Sequence, residues 1–497
     1  MSFDGKGRIF RLHAALSLVL AAALVLVAAQ VFGFDAQLDL EGQNEDYPNV
    51  TEDRPTGIIE DVAALRARFS PTVLQIFSDC LYLIARRYAG DISEQDLFSD
   101  AMNELALTAL PQCVELLQPP QECKGNIKVC FLDTVKSIAE CSNSEIEPVL
   151  TLSLKILLRK LDHNSALLDS RMLKELKIST TGRFGGIGLV VTVKGGEYVV
   201  ISSFEGSPAH SAGIAPGDVV LEIDHSPIRG LPLFDVLGMV RGRVGSTISM
   251  LIRPRSGAGT RDVRLRREMM RVPPVRHLML ASGIGYLRIV NFQANTSRDA
   301  ARSVKKLVQS APGGLKGLVL DLRGNPGGLF DEAIKVADLF LDEGTITIVR
   351  GRLESLNKDW QAHKGGVLLR APIVVLIDRG TASAAEIVAA ALKGVSGVAV
   401  MGERSFGKAS VQGVFPISSG MALRLTTAHY YTPDGGDIDG TGIEPDVKIS
   451  EPEEIDPAEA FRMLDRTDAE QDHAITTAHD YLTGLRSPTR SRFPTLF

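Results

Sequence analysis

Twice the chain runs from an apolar, strand-like stretch through a glycine turn into a helix without a breaker, a pattern that restricts it to a layered α/β core. Pro372-Ile373-Val374-Val375-Leu376-Ile377 is a short β-branched run, Arg379-Gly380-Thr381 ends it, and Ala384 to Lys393 is alanine-rich and helical. Leu318-Val319-Leu320-Asp321 leads in the same way into Pro326-Gly327-Gly328. Beyond it, Leu329, Ala333, Val336, Ala337 and Phe340 keep helical spacing. Strands and helical segments go on alternating from Pro273-Pro274, which can continue neither helix nor central strand, to Ile449.

Ser383 lies at the second of these turns. There the first helical N–H groups lack intrahelical partners and are free to serve a developing negative charge. Further on, Ser405-Phe406-Gly407-Lys408 precedes Ser410-Val411-Gln412-Gly413-Val414-Phe415-Pro416, which has strand composition. Even spacing puts Lys408 and Gln412 on one face of such a strand. An exposed lysine is protonated at neutral pH, so a base role requires burial to lower its pKa by roughly 2–3 pH units, about 3–4 kcal/mol. Gln412 then orients the amine without adding a charge. The N–H of Gly327 or Gly328, paired with that of Ala384, is the candidate oxyanion hole.

Seven segments in order resemble the carboxyl-terminal processing (tail-specific) proteases, serine endopeptidases with a Ser-Lys dyad and a PDZ domain. They are Leu161-Asp162-His163-Asn164-Ser165, Phe184-Gly185-Gly186-Ile187-Gly188, Ile284 to Ile289, Asp321 to Gly328, Thr381-Ala382-Ser383-Ala384-Ala385-Glu386, Phe406-Gly407-Lys408 with Gln412, and Tyr430 to Gly435 with Gly442 to Asp446. The resemblance covers about Leu161 to Ile449. It implies Ser383 as nucleophile, Lys408 as general base and Gln412 as its support, within a crotonase-like α/β protease core that carries an inserted PDZ domain and a helical N-terminal region. The chain departs from the family in having Ser405 for the usual threonine and Ala409 for the usual glycine. Neither removes a reacting group.

Competing readings are weaker. His429 is the only histidine near the catalytic motifs around Ser383 and Lys408, but its Thr-Thr-Ala-His-Tyr-Tyr run offers no acidic partner for a triad. Gly402 to Lys408 has phosphate-loop spacing, yet Ala409 has no hydroxyl for magnesium and Gly413 and Pro416 break the helix such a loop requires. Asp321 and Arg323 read as a structural ion pair. Glu386 reads first as a helix-dipole carboxylate that also has the reach to steer hydrogen bonds at the site.

A length of 497 residues, 44% hydrophobic and 23% charged, suits a globular protein of about three domains. The net charge of −6 gives no reason to expect nucleic acid. Lys6, Arg8 and Arg11 precede an apolar run from Ala14 to Phe32, so residues 1–34 read as a signal peptide or a membrane anchor; Val27-Ala28-Ala29 favours cleavage. Either way the body is expected to be exported to a bacterial periplasm, with an inner-membrane anchor if the segment stays. All five cysteines precede the PDZ region. Cys113, Cys123, Cys130 and Cys141 fall in an insertion relative to the family and read as two disulfides, with Cys80 left as a buried thiol. Their spacing lacks a zinc knuckle, and neither metal nor cofactor is expected.

The expected organisation is a linker over 35–57, a helical region over 58–175, the PDZ domain over 182–271, the protease core over 273–450, and a C-terminal helix and tail over 451–497. In the PDZ region Gly186, Ile187, Gly188 and Leu189 are the candidate carboxylate-binding loop, Leu189 to Val191 the peptide-pairing edge, and Leu233 to Val240 the pocket helix. Together these describe an exported serine endopeptidase acting on protein substrates with free C-termini, with room for an adaptor or activator protein and for a homo-oligomer. The non-enzymatic rival is an inert exported PDZ scaffold.

Overall fold

The computed structural model describes residues 36–37, 65–108, 113, 123, 125–257, 259–364, 369–449 and 472–484. The segment read as signal peptide or anchor, most of the segment read as linker, and most of the residues read as C-terminal helix and tail lie outside these. Among the described residues no helix is long and apolar enough to cross a membrane.

Before the PDZ region come strand β1 (Ala36–Gln37), helices α1 (Pro71–Arg87), α2 (Glu94–Thr108), α3 (Ile127–Cys141) and α4 (Ile146–Leu161), strand β2 (Ala166–Leu168) and helix α5 (Ser170–Thr181). Ser70 caps α1 through its Oγ, which accepts Val73 N–H at 3.3 Å, and Pro71 occupies the first turn, where no N–H is needed. Val73, Ile76, Phe77, Cys80 and Ile84 form one buried stripe. It packs against Phe98, Phe131 and Leu154, and against Phe415, Leu423 and Leu425 of the α/β core. Cys113/Cys141 and Cys123/Cys130 lie at disulfide distance, while Cys80 is free and buried.

The PDZ region holds β3 (Arg183–Gly186), β4 (Leu189–Lys194), β5 (Glu197–Ser203), α6 (Pro208–Ser211), β6 (Val219–Ile223), β7 (Ser226–Pro227), α7 (Leu233–Val240), β8 (Thr247–Arg253), β9 (Arg261–Arg266) and β10 (Glu268–Arg271). Its sheet runs β4-β5-β6-β8-β9, and β3 pairs with β10 as a two-stranded stem. Helix α5 braces the module: Arg171 pairs with Asp235 at 3.1 Å and lies over the Phe234 ring, and Glu175 pairs with Arg241.

The core comprises β11 (Val275–Met279), β12 (Ile284–Ile289), α8 (Thr296–Ser310), β13 (Gly317–Asp321), α9 (Phe330–Asp338), β14 (Thr345–Gly351), β15 (Lys358–Gln361), β16 (Ile373–Ile377), α10 (Ala384–Leu392), β17 (Val398–Gly402), β18 (Ser410–Pro416), β19 (Ala422–Tyr431), β20 (Val447–Lys448) and α11 (His473–Thr483). One sheet has the order β11-β12-β13-β16-β17-β20, parallel from β12 onward. Strand β16 is buried on both faces, which is why it reads as an unbroken apolar run. Ile373, Val375 and Ile377 belong to the buried cluster that includes residues of α8, α9 and α10, whereas Val374 and Leu376 belong to the one that includes α11. The second sheet runs β1-β18-β19-β14-β15, with β2 also on β19. Ala36–Gln37, read from sequence as linker, pairs in parallel with Gln412–Gly413.

Candidate active site

Ser383 follows β16 and precedes α10, and the Pro-Gly-Gly turn follows the neighbouring strand β13, so both turns open at the carboxyl ends of adjacent parallel strands. Ser383 has φ 58° and ψ −122°, a left-handed conformation that a serine adopts only when its surroundings enforce it. Asn325 is one enforcer. Its backbone oxygen accepts Ala382 N–H at 2.9 Å, its Nδ2 donates to the Ile289 carbonyl at 2.9 Å, and its Oδ1 accepts Gly327 N–H at 2.9 Å. Thr381 Oγ1 adds a bond to the Leu322 carbonyl at 2.9 Å, locking the two turns together.

That arrangement separates the two candidate oxyanion glycines. Gly327 N–H is engaged by Asn325 and is not an available donor. Gly327 matters for the space it leaves, since a Cβ there would sit 3.0 Å from Ser383 Oγ. Gly328 presses on a different neighbour: a Cβ on it would lie 2.2 Å from the Phe292 carbonyl oxygen. Neither Gly328 N–H nor Ala384 N–H meets an acceptor among the described residues.

Glu386 holds the centre of the site. Its carboxylate is fully buried and accepts Ser383 N–H at 2.8 Å and Lys408 N–H at 2.8 Å on Oε2, and Gly407 N–H at 2.7 Å and Ser405 Oγ–H at 2.5 Å on Oε1. Burial raises its carboxyl above the ordinary value, while the bonds from Ser405, Lys408, Ser383 and Gly407 work in the opposite direction. A helix-dipole role understates this residue, which joins the Ser383 turn to the Lys408 loop. The Tyr430 hydroxyl bridges the same two segments, lying 3.0 Å from the Ser383 carbonyl oxygen and also against that of Lys408. Ser405 uses only its hydroxyl here, donating to Glu386 and accepting Ile443 N–H at 2.6 Å. A threonine would supply the same group.

Lys408 and Gln412 are both buried, but simple strand alternation does not bring this about. Lys408 precedes β18, outside the strand whose alternation the sequence spacing assumed, and the pairing with β19 shifts register between Val411 and Gln412, with Thr427 of β19 the extra residue. Gln412 Nε2 donates to Ser410 Oγ at 2.8 Å, and Asn164 Nδ2 donates to the same oxygen at 3.0 Å. Gln412 Oε1 is buried and receives no hydrogen bond among the described residues. Asn164 is set by Asp162, whose Oδ1 accepts Asn164 N–H at 2.6 Å and Ser165 N–H at 2.7 Å. His429 neighbours Tyr430 on β19 and therefore projects to the opposite face of the sheet, away from Ser383.

In the PDZ region, β4 ends its sheet and leaves an edge open. No acceptor among the described residues takes the N–H of Ile187 or Gly188, while their carbonyls accept Ala209 N–H at 2.9 Å and Phe204 N–H at 2.8 Å. The ladder bond to Phe204 turns the backbone of Leu189, one residue on, toward the open edge. Gly186 differs from expectation: it pairs with Glu268 in the stem, so the loop begins after it. Among the described residues no group of side chains suits a metal ion.

Residues 283–449 match peptidase family S41 and residues 199–254 match the PDZ domain, a span that excludes the candidate carboxylate loop. The carboxy-terminal-processing protease of Bartonella bacilliformis is 39% identical over 297 residues, covering 60% of this chain and 68% of that protein. The carboxy-terminal processing protease CtpA of Bacillus subtilis is 34% identical over 292 residues, covering 59% of this chain and 62% of its relative. Among solved structures, a photosystem II D1 C-terminal processing protease is 27% identical, covering 72% of this chain and 94% of that one at a TM-score of 0.40. This chain belongs to the carboxy-terminal-processing proteases, peptidase family S41, and carries their PDZ domain.

Proposed function

We propose that the chain is an exported serine endopeptidase in which Ser383 attacks a peptide carbonyl, Lys408 takes the serine proton, and an acyl-enzyme forms and is hydrolysed. Gln412, fixed by Ser410 and Asn164, orients the lysine amine through its otherwise unbonded Oε1. Gly328 and Ala384 N–H groups receive the oxyanion. In this reading the core is crotonase-like, no cofactor takes part, and the loop from Ile187 to Leu189 holds the substrate's C-terminal carboxylate while β4 pairs with its backbone. The basic-then-apolar N-terminus and the two cysteine pairs support a periplasmic location.

One observation carries the proposal: Glu386 ties the backbones of Ser383 and Lys408 to a single carboxylate, an expensive arrangement for a buried charge unless the geometry of those two residues matters. Ser383 has no exposed surface, so an opening step precedes acylation. The test is peptide turnover by Ser383→Ala and Lys408→Arg. Both should lose activity while keeping their fold, since arginine cannot deprotonate. Activity near wild type in either folded variant would return the chain to the inert-scaffold reading or move the chemistry elsewhere.

A further inference from the structure

The loop that supplies Gly327 and Gly328 starts at Asp321, and its first anchor is a buried cluster of four charges. Asp321 has no exposed surface. Its carboxylate accepts the Tyr286 hydroxyl at 2.6 Å, Arg323 N–H at 3.0 Å, Arg323 Nε at 3.1 Å and Arg323 Nη2 at 2.9 Å, and lies 3.5 Å from Arg288 Nη1. Arg288 Nη2 also donates to the Arg323 carbonyl at 3.1 Å. Arg323 is therefore held by both side chain and backbone at the entrance to the turn.

Two guanidiniums face this one carboxylate, and the charge that balances them comes from far along the chain. Asp472 accepts Arg323 Nη1 at 3.2 Å and Nη2 at 2.8 Å, while its Oδ1 also caps α11 by accepting Ile475 N–H at 3.0 Å. Helix α11 is seated on the face of the parallel sheet opposite the catalytic helices, through Ala474, Ile475 and Ala478. Removing one member of a buried ion cluster leaves an uncompensated charge and a strong drive to rearrange. Here the group under strain would be Arg323, one residue before Gly324, whose N–H is pinned to Asp378 at 2.8 Å, and two before Asn325, which holds Gly327 and Ala382.

We propose that Asp472 is a positioning residue for catalysis: through Arg323 it tethers the C-terminal helix to the turn that presents Gly328 to the oxyanion. This rests on the assignment of Ser383 as nucleophile and Gly328 as oxyanion donor. Asp472 touches no reacting atom. Its effect is to fix where a backbone N–H points, so its loss should appear in the transition state and not in substrate affinity.

The test uses the full chain with Asp472→Asn and Asp472→Glu. Asparagine caps a helix as well as aspartate does, so it removes the charge and keeps the cap. For the Asn variant we expect kcat lower by about tenfold or more, as for a misplaced catalytic group, with KM within about twofold. Affinity for a peptide aldehyde, which forms a tetrahedral oxyanion on serine, should fall with kcat. Glu should recover part of both losses. An Asn variant with kcat within about twofold of wild type, or a Glu variant no better than Asn, overturns the tether. If Asn costs the fold, the Glu variant alone decides, because its displaced carboxylate must still lower kcat without raising KM; a wild-type kcat there overturns the proposal. Labelling by a fluorophosphonate separates the two layers. Normal labelling of Ser383 with an unaffected Asn variant overturns the tether alone, whereas turnover by wild type without labelling of Ser383 overturns the nucleophile assignment and the tether with it.

Discussion

Ser383 and Lys408 donate their backbone N–H groups to the same carboxylate oxygen, Glu386 Oε2, each at 2.8 Å. The two residues come from different elements, one opening α10 and the other preceding β18. The Ser383 contact is the capping box of α10, whereas the Lys408 contact reaches the same oxygen from across the fold, so one shared acceptor links the two residues. Four donors converge on this carboxylate and offset part, but not all, of what burial costs its charge.

Replacing Glu386 by Gln puts an amide among four donors, and its NH2 group must then face at least one of them. Such a variant should fold with stability lower by about 1–3 kcal/mol. Its kcat should fall by about a hundredfold, because nucleophile and base lose their common reference. Steady-state kinetics alongside denaturant unfolding check both numbers. A folded Gln variant with kcat within about twofold of wild type contradicts the hub role.

The pH dependence of stability gives a second check. Burial raises the Glu386 carboxyl above its ordinary 4.5, so the folded chain binds that proton more tightly than the unfolded chain does. Its contribution to stability is therefore fully present below 4.5 and is lost as the pH rises through the folded value. The Tm of wild type minus that of Glu386→Gln should decline over this interval and be flat above it. A difference that grows with pH there contradicts the assignment.

Cysteine accessibility separates the pairs from the single thiol. Burial, with a smaller contribution from the Asp79 charge, pushes the Cys80 thiol above its ordinary range and makes it unreactive. Alkylation of the native chain, purified without reductant, should label nothing. After denaturation without reductant it should label Cys80 alone, with peptide mapping joining Cys113 to Cys141 and Cys123 to Cys130. Free thiols at those four positions in protein purified without reductant would contradict the pairing.

Amidation of a long substrate's C-terminus removes the charge that the Ile187 to Leu189 loop would bind. It should lower kcat/KM for that substrate and matter little for a short reporter that reaches Ser383 without the PDZ region. Equal cleavage of free and amidated long peptides contradicts C-terminal recognition.

Much of this was legible from local pattern. Strand β16, the turn at Ser383 and the alanine-rich α10 follow from residues adjacent in sequence, and α7 spans Leu233–Val240 as the PDZ resemblance implies. The rest depends on contacts that a linear reading does not see. Glu386 looks like any first-turn acid until Ser405, Gly407 and Lys408 fold onto it. The extra residue Thr427, opposite Val411 and Gln412, has no local signal, and the engagement of Gly327 by Asn325 is set by side-chain direction. Asn164 sat in a recognised segment, Leu161 to Ser165, without an assignable role until β18 lay beside it. The partner of Arg323 was hidden by the stretch of chain between it and Asp472.

The rate at which a fluorophosphonate acylates Ser383 tests the central claim most directly, because it reads activation of the nucleophile without requiring substrate recognition. Wild type, Lys408→Ala and His429→Ala would be compared, with the modified peptide located by mass spectrometry. Lys408→Ala should label at least about a hundredfold more slowly, as expected for loss of a general base, and His429→Ala at nearly the wild-type rate. Labelling of Lys408→Ala at the wild-type rate, or loss of labelling in His429→Ala, would contradict a Ser383–Lys408 dyad.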